Sequence, residues 1–290
     1  MKGEKEKKSG RSTRRNIRSP SKDFHKSSPK EQKTDISLTK QSIKTDLKIF
    51  YDQEAKKYHQ TRKKYWKEGE TLVNYIQQHF QGREIRILEF GCGSGRFASY
   101  LSEHYTGNFK YQGVDLSKEL IKYAQQDNPN LEFIAEDISK FLPLLKQESF
   151  DLIIGTSSFQ HIPSYKERLF LMKHFYRTLK YEGLVVMTNR ALSEWFAKKH
   201  RKPLLNAIGK YLLTLGKADW RNILVPRTNK GKTSTRYYHL FSLKELKKLT
   251  DFSGFSLKEC SYLDKDGSFT PKSREARNSL LIAEKFPLQN

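Results

Sequence analysis

Apolar side chains recur along this chain in two rhythms, and the changes of rhythm mark its elements. Residues 1–40 follow neither. They are mainly Lys, Arg, Ser and Pro, with almost no large apolar residue. Such a segment cannot bury enough surface to offset its ordering entropy, so residues 1–42 read as a disordered basic tail. From Ile43 the spacing is helical: Phe50, Tyr51, Ala55 and Tyr58 recur every three or four positions, then Trp66, Val73 and Ile76. A strand follows, IRILEF (Ile85–Phe90), which runs into the glycine-rich GCGSG of Gly91–Gly95. The next helix carries Phe97, Tyr100, Leu101 and Tyr105 on one side. A second strand, FKYQGVDL, reaches Asp115, and Ser117 is placed to cap the helix KELIKYAQ. A third strand, LEFIAED, reaches Asp137. The fourth, FDLIIGTSS, is a continuous apolar run, as expected of a parallel strand buried on both faces. Ser164 and Glu167 have capping-box spacing for a helix through Leu179, and Gly183 opens a fifth strand, LVVMTN.

Five alternations of strand and helix with short connections predict an α/β fold, a doubly wound Rossmann-like sheet, within one domain spanning 43–290. After Arg190 the alternation stops. A helical region, LSEWFAKKHRKPLLNAIGKYLLTL, is expected to break at Pro203. An irregular stretch, 216–234, follows it. Regular elements resume with RYYHLF, a helix from Ser242, and the strands FSLKECSYL and SLLIAEKF. Residues 191–240 therefore read as a helical, substrate-recognition insertion. Just after it, Ser242 and Glu245 are spaced as a second capping box, which puts Phe241 and Leu246 at the staple positions.

The chemistry begins at the glycine turn. Glycines supply the torsions of a tight turn and let a ligand approach the backbone. Asp115 lies 20 residues beyond Gly95, a separation at which a carboxylate meets a ribose diol. The dinucleotide fingerprint Gly-x-Gly-x-x-Gly is not matched, because the third glycine comes one residue early. Glu89, two residues before the first glycine, would repel a diphosphate but suits a cationic amino group. S-adenosylmethionine (SAM), which has an ammonium, a sulfonium and a ribose but no phosphate, fits better than NAD. Cys92 reads as a small loop residue.

Charge adds a second signal. The net charge is +23, unevenly spread. Residues 1–40 hold 13 Lys/Arg against 5 Asp/Glu, residues 41–160 hold 16 of each, and residues 161–290 hold 26 against 11. Within the globular part, a basic C-terminal half beside a neutral N-terminal one suits a polyanionic partner such as RNA, although a basic chain also gains solubility. No apolar run approaches a membrane span and no secretory signal is visible, so no membrane partner is expected. Two cysteines form no disulfide framework, which points to a reduced, cytoplasmic setting.

These features resemble the class I SAM-dependent methyltransferases over roughly residues 45–190. LEFGCGSGRF is similar to the first motif of that family, and SFDLIIGTSSFQHI to its fourth. The resemblance implies a seven-stranded sheet of order 3-2-1-4-5-7-6 with an antiparallel seventh strand, here LLIAEKF. It implies that Gly91, Gly93 and Gly95 line the cofactor and that Asp115, with Leu116, takes the ribose. Asp137, with Ile138, would take the adenine amine. Thr156 and Glu89 complete the expected contacts, and Arg62, in YHQTR, resembles an arginine that grips the cofactor carboxylate in some members.

The acceptor is narrowed by what is missing. Exocyclic-amine methyltransferases carry Asn/Asp-Pro-Pro-Tyr/Phe after the fourth strand, where this chain has Thr156-Ser157-Ser158-Phe159, and neither cysteine is placed for cytosine C5 chemistry. His161 reads equally as a general base, a substrate contact or a turn histidine. The block TRYYHLF (Thr235 to Phe241) before the Ser242 helix resembles the tRNA wobble-uridine methyltransferases that esterify 5-carboxymethyluridine, including the methyltransferase domain fused to AlkB-type dioxygenases. That resemblance implies a tRNA substrate held by the basic C-terminal half and the tail. A carboxylate acceptor would be gripped by Arg236 or Arg190, with Tyr237 and His239 adding hydrogen bonds or stacking. Residues 191–234 depart from the eukaryotic members, which leaves the substrate and any activator subunit open. The other reading is a small-molecule O-, N- or C-methyltransferase.

Overall fold

In the computed structural model, residues 40–62, 66–229 and 232–286 are described. The expected disordered tail lies outside them, except that 40–42 already form the first turn of helix α1 (Lys40–Thr61).

The centre of the fold is the strand β4 (Phe150–Thr156), whose side chains alternate from Leu152 on. Leu152 and Ile154 enter one apolar layer and Ile153 the other, while Phe150, across a register shift from Leu152, joins the layer of Ile153. β1 (Ile85–Phe90) and β5 (Leu179–Arg190) flank it in parallel. Beyond β1 come β2 (Phe109–Asp115) and β3 (Glu132–Ala135), also parallel. Beyond β5 lies the last strand, β10 (Asn278–Glu284), antiparallel to both of its neighbours. β8 (Ser256–Leu263) and the two-residue β9 (Phe269–Thr270) finish that side. The order β3-β2-β1-β4-β5-β10-β8-β9 contains the expected arrangement of seven, with one added edge strand, so the sheet has eight strands.

Helices cover both faces. α2 (Lys67–Phe80), α3 (Arg96–His104) and α4 (Lys118–Asp127) bury Leu72, Ile76, Phe97, Leu101 and Ile121 against the first layer. On the second lie α5 (Ile138–Phe141), α6 (Tyr165–Thr178) and α9 (Leu243–Phe252), with Leu171, Phe175 and Leu246 fully buried. Each such side chain is worth about 1.5–3 kcal/mol by area removed from water. Gly155 marks how tightly β4 packs, because a Cβ there would stand 2.2 Å from the Phe90 ring.

The caps are partly as expected. Ser117, Ser164 and Ser242 each accept a backbone N–H at the head of α4, α6 and α9. The glutamates of the two expected boxes are used otherwise. Glu167 pairs with Lys44, and Glu245 enters a buried ionic network. Phe241 stacks on Phe159 with ring centroids 5.5 Å apart.

The insertion differs from expectation in two places. Its helices α7 (Glu194–Lys199) and α8 (Arg201–Leu213) part at His200, not at Pro203. Pro203 falls in the first turn of α8, where a missing N–H costs nothing. The stretch 216–234 is not irregular: β6 (Asn222–Asn229) and β7 (Lys232–His239) form an antiparallel hairpin outside the main sheet. Pro226 is tolerated because each strand of a two-stranded ribbon is an edge. RYYH is thus half of a hairpin, and α1 packs along it.

Candidate active site

At the C-terminal ends of β1, β2 and β4 the chain forms a cleft of two lobes that share Gly91, Thr156 and Ser157, with Tyr51 and Tyr58 of α1 between them. Counted to their open mouths, the lobes measure about 790 and 1800 Å³.

The smaller lobe is built around Asp115. Gly91, Gly93 and Gly95 all sit at positive φ, at 66°, 57° and 76°. A side chain at Gly91 would collide with Ser158, 2.4 Å from where its Cβ would lie. This path turns the Gly93 N–H onto Asp115 Oδ2 at 2.9 Å, while the Ser117 N–H meets Oδ1 at 2.8 Å. Burial pushes the Asp115 carboxyl up to about 6, against these two hydrogen bonds. Each oxygen keeps one lone pair, which together match two adjacent hydroxyls. Leu116, Ile138, Val114 and Ile162 supply apolar walls. Asp137 caps α5 by accepting from Ser139 N at 2.9 Å, and Lys44 Nζ from α1 reaches its other oxygen at 2.8 Å. Burial alone would raise the Asp137 pKa, but Lys44 and Ser139 outweigh it and hold the group below its ordinary value.

Glu89 opens the larger lobe. It is 1% exposed and accepts a short hydrogen bond from the Tyr111 hydroxyl. Burial pushes its carboxyl up to about 8, against the Tyr111 hydrogen bond, so it is mostly protonated at neutral pH until a cation stands beside it. An ammonium is such a cation. A diol acceptor at Asp115, apolar walls, an ionised acceptor at Asp137 and a buried acid awaiting a cation together fit SAM.

The larger lobe is also rich in arginine. Arg62, Arg96, Arg190, Arg236 and Arg277 all line it. Arg62 lies 4.8 Å from the centre of the Tyr58 ring. Arg190 donates through Nη1 to the Arg277 carbonyl at 3.3 Å, and its backbone N–H is held by the Gln160 side chain. Arg236 lies 4.7 Å from the centre of the Phe50 ring and 5.2 Å from that of Tyr238, and its Nε is shielded from solvent without a hydrogen-bond partner. Among the described residues, Arg190, Arg236 and Arg277 form no ion pair with a carboxylate. Glu68, in the same lobe, is engaged by Thr188 and Asn278.

Two expected acceptor contacts are corrected. Tyr237 and His239 do not line the cleft, because alternation along β7 sends them to the face opposite Arg236 and Tyr238. The Tyr237 hydroxyl lies 3.0 Å from the Pro163 carbonyl and 2.7 Å from Asn222 Oδ1. His239 is fully buried between Asn222 and Glu245, at 2.6 and 3.0 Å. Glu245 also pairs with Arg168 and Arg221, so this network joins the hairpin to α6 and α9. His161 does border the cleft, but both ring nitrogens are engaged: Nδ1 by the Tyr237 carbonyl at 2.7 Å and Nε2 by the Tyr51 hydroxyl at 2.9 Å. Burial lowers its pKa to about 4, so it is neutral and a weak base at pH 7. Lys44, Tyr51, Tyr58 and Tyr238 were not foreseen as site residues. Helical spacing placed the two tyrosines on α1, but nothing local said which face would meet the cleft.

Residues 87–183 match the methyltransferase domain family. A malonyl-[acyl-carrier protein] O-methyltransferase from Ilyobacter polytropus is 28% identical over 144 residues, 49% of this chain and 51% of that protein. The chain therefore spans about half the length of that relative. Among solved structures, a SAM-dependent methyltransferase from Methanosarcina mazei superposes with a TM-score of 0.58 at 22% identity, covering 74% of this chain and 98% of that one. The 1,6-didemethyltoxoflavin-N1-methyltransferase of Burkholderia thailandensis, solved with S-adenosylhomocysteine (SAH), gives 0.55 at 14% identity over 86% of this chain and 91% of that one. No described helix is long and apolar enough to cross a membrane. This chain carries a methyltransferase domain, and its fold is that of the class I SAM-dependent methyltransferases.

Proposed function

We propose that the chain transfers a methyl group from SAM to a carboxylate oxygen of an anionic acceptor, forming a methyl ester. The observation that carries this reading is the pair Arg190 and Arg236, two partly buried guanidiniums without carboxylate partners among the described residues, in the larger lobe that Glu89 opens. Guanidinium groups match carboxylates in charge and in hydrogen-bond geometry. Bound SAM supplies an electrophilic methyl group on a sulfonium. The protein then has to align an acceptor oxygen with it and exclude water. An ionised carboxylate is already a nucleophile, so no base is required, in keeping with a neutral His161 whose nitrogens are both bonded. Relatives named for O-methylation of a malonyl group, which carries a free carboxylate, support the same class.

The finer reading is esterification of a carboxymethyl group on a tRNA wobble uridine. It is favoured by the 26 basic against 11 acidic residues in 161–290 and by Arg236 in the RYYH block. It now rests on Arg236 and Tyr238, since Tyr237 and His239 serve the scaffold. We place the reaction in the cytoplasm, where the free Cys92 and Cys260 would stay reduced. The test offers the protein SAM with either malonyl-coenzyme A or tRNA bearing 5-carboxymethyluridine, and seeks a product heavier by one methylene. Esterification of either supports a carboxylate acceptor, and the tRNA arm decides the finer reading. Methylation of only amine or phenol acceptors would contradict the proposal.

A further inference from the structure

One helix holds both lobes of the cleft. Near its start, Lys44 Nζ reaches Asp137 Oδ2 at 2.8 Å and Ser139 Oγ at 2.9 Å, and pairs with Glu167 of α6. Two turns on, Asp52 Oδ1 accepts from Ser117 Oγ at 2.6 Å and from Glu119 N at 3.2 Å, at the head of α4. These contacts tie α1 to the walls of the cofactor lobe. The residue beside Asp52 turns the other way. Tyr51 places its hydroxyl 2.9 Å from His161 Nε2 and lines the larger lobe together with Arg236.

The donors along this line can be assigned in sequence. The Tyr237 carbonyl only accepts, so the proton of neutral His161 sits on Nδ1, 2.7 Å away. Nε2 must then accept, and it takes the Tyr51 proton. The Tyr51 oxygen is left with lone pairs alone, which suit a guanidinium such as that of Arg236 in the same lobe. An arginine meant to meet an anionic ligand cannot be steadied by a carboxylate without being neutralised. Neutral groups steady this one: the Tyr51 oxygen and the faces of Phe50 and Tyr238.

We propose that Tyr51 is a positioning residue that holds Arg236 toward the acceptor lobe, and that through α1 it makes cofactor binding the event that completes the acceptor site. The role given to Arg236 rests on the anionic-acceptor reading above. The coupling has a physical source: Leu47, Tyr51 and Tyr58 of α1 line the cofactor lobe, so a ligand there gains contacts only when α1 lies across it. Those contacts fix Tyr51, and with it Arg236. The cofactor then binds first and the acceptor second.

Hydrogen exchange and calorimetry on the full chain, with SAH and malonate as probes, test this. In the wild type, SAH should slow amide exchange in α1 and in residues 235–239, and malonate should bind the SAH-saturated protein about 10-fold tighter than the free protein. Tyr51→Phe keeps the ring and loses only the hydroxyl. It should keep SAH affinity within about twofold and still show slowed exchange in α1. It should lose the slowing at 235–239 and the 10-fold enhancement. If SAH leaves 235–239 unchanged in the wild type, or if Tyr51→Phe weakens SAH and malonate equally, the proposal is overturned. Failure of malonate to bind in any state, with the exchange pattern intact, would overturn the anionic reading of the lobe and the role of Arg236 with it.

Discussion

Glu89 makes cofactor binding depend on pH in a direction that can be calculated. Its carboxyl is raised to about 8 by burial, and a bound ammonium needs it ionised. Binding must therefore expel a proton, and affinity rises with pH until Glu89 ionises unaided. From pH 6 to pH 7.5 the ionised fraction of such a group grows about 25-fold. Asp115, raised to about 6, contributes roughly a further twofold over the same window. Above about pH 8 the ligand's own amino group loses its proton and affinity falls again. Glu89→Gln keeps the volume and the hydrogen bond to Tyr111 but cannot ionise, so only about twofold of the rise should remain. Calorimetry of SAH binding at pH 7, in buffers of different ionisation enthalpy, counts the protons directly. The wild type should release close to one and the variant about none. A wild-type affinity flat from pH 6 to 7.5, or an equal proton count in the variant, would refute the placement of Glu89 beside the cofactor's ammonium.

Three further substitutions separate cofactor, acceptor and scaffold. Asp115→Ala removes the acceptor of two backbone N–H groups along with the diol site, so SAH affinity should fall at least about 100-fold and thermal stabilisation by SAH should vanish. Stabilisation that persists would put the cofactor elsewhere. Arg236→Ala should leave SAH affinity within about threefold while lowering kcat/KM for a carboxylate acceptor roughly 10- to 100-fold; an equal loss of both would make Arg236 a scaffold residue. Glu245→Ala strands Arg168, whose side chain is 3% exposed, and should cost about 3–5 kcal/mol in urea unfolding. A loss below 1 kcal/mol would mean that the His239 network does not hold the hairpin.

The parts that could be read from the chain are those whose signal is local. The centre of β4, Leu152–Ile154, is an unbroken apolar run because it is buried on both faces, and the glycine turn with Asp115 announces a ribose site through spacing alone. The hairpin β6–β7 escaped for a physical reason. Its first strand has a short apolar core and a proline, and only an edge position tolerates that combination. The assignment of Tyr237 and His239 to the acceptor failed at the next level. In a strand with aromatic or cationic residues at four successive positions, neither face is marked as the inner one, and partners outside the strand decide it: Asn222 and Glu245 for His239, the Phe50 ring for Arg236. Lys44 and Tyr51 could not be placed without the fold, since their partners lie 93 and 110 residues away. Arg190 ends β5 in the expected way, but only the structure shows that it and Arg236 share a lobe without carboxylate partners among the described residues.

Ester formation can be tested without knowing the acceptor. The protein is incubated with methyl-labelled SAM and an extract containing both small molecules and tRNA, and the product is treated with mild alkali. A methyl ester hydrolyses and releases its label as volatile methanol, whereas N-methyl and C-methyl products keep theirs. Release of most of the label, at an initial rate that Arg236→Ala lowers roughly 10- to 100-fold, is the predicted result. Label that stays in an alkali-stable product would contradict transfer to a carboxylate.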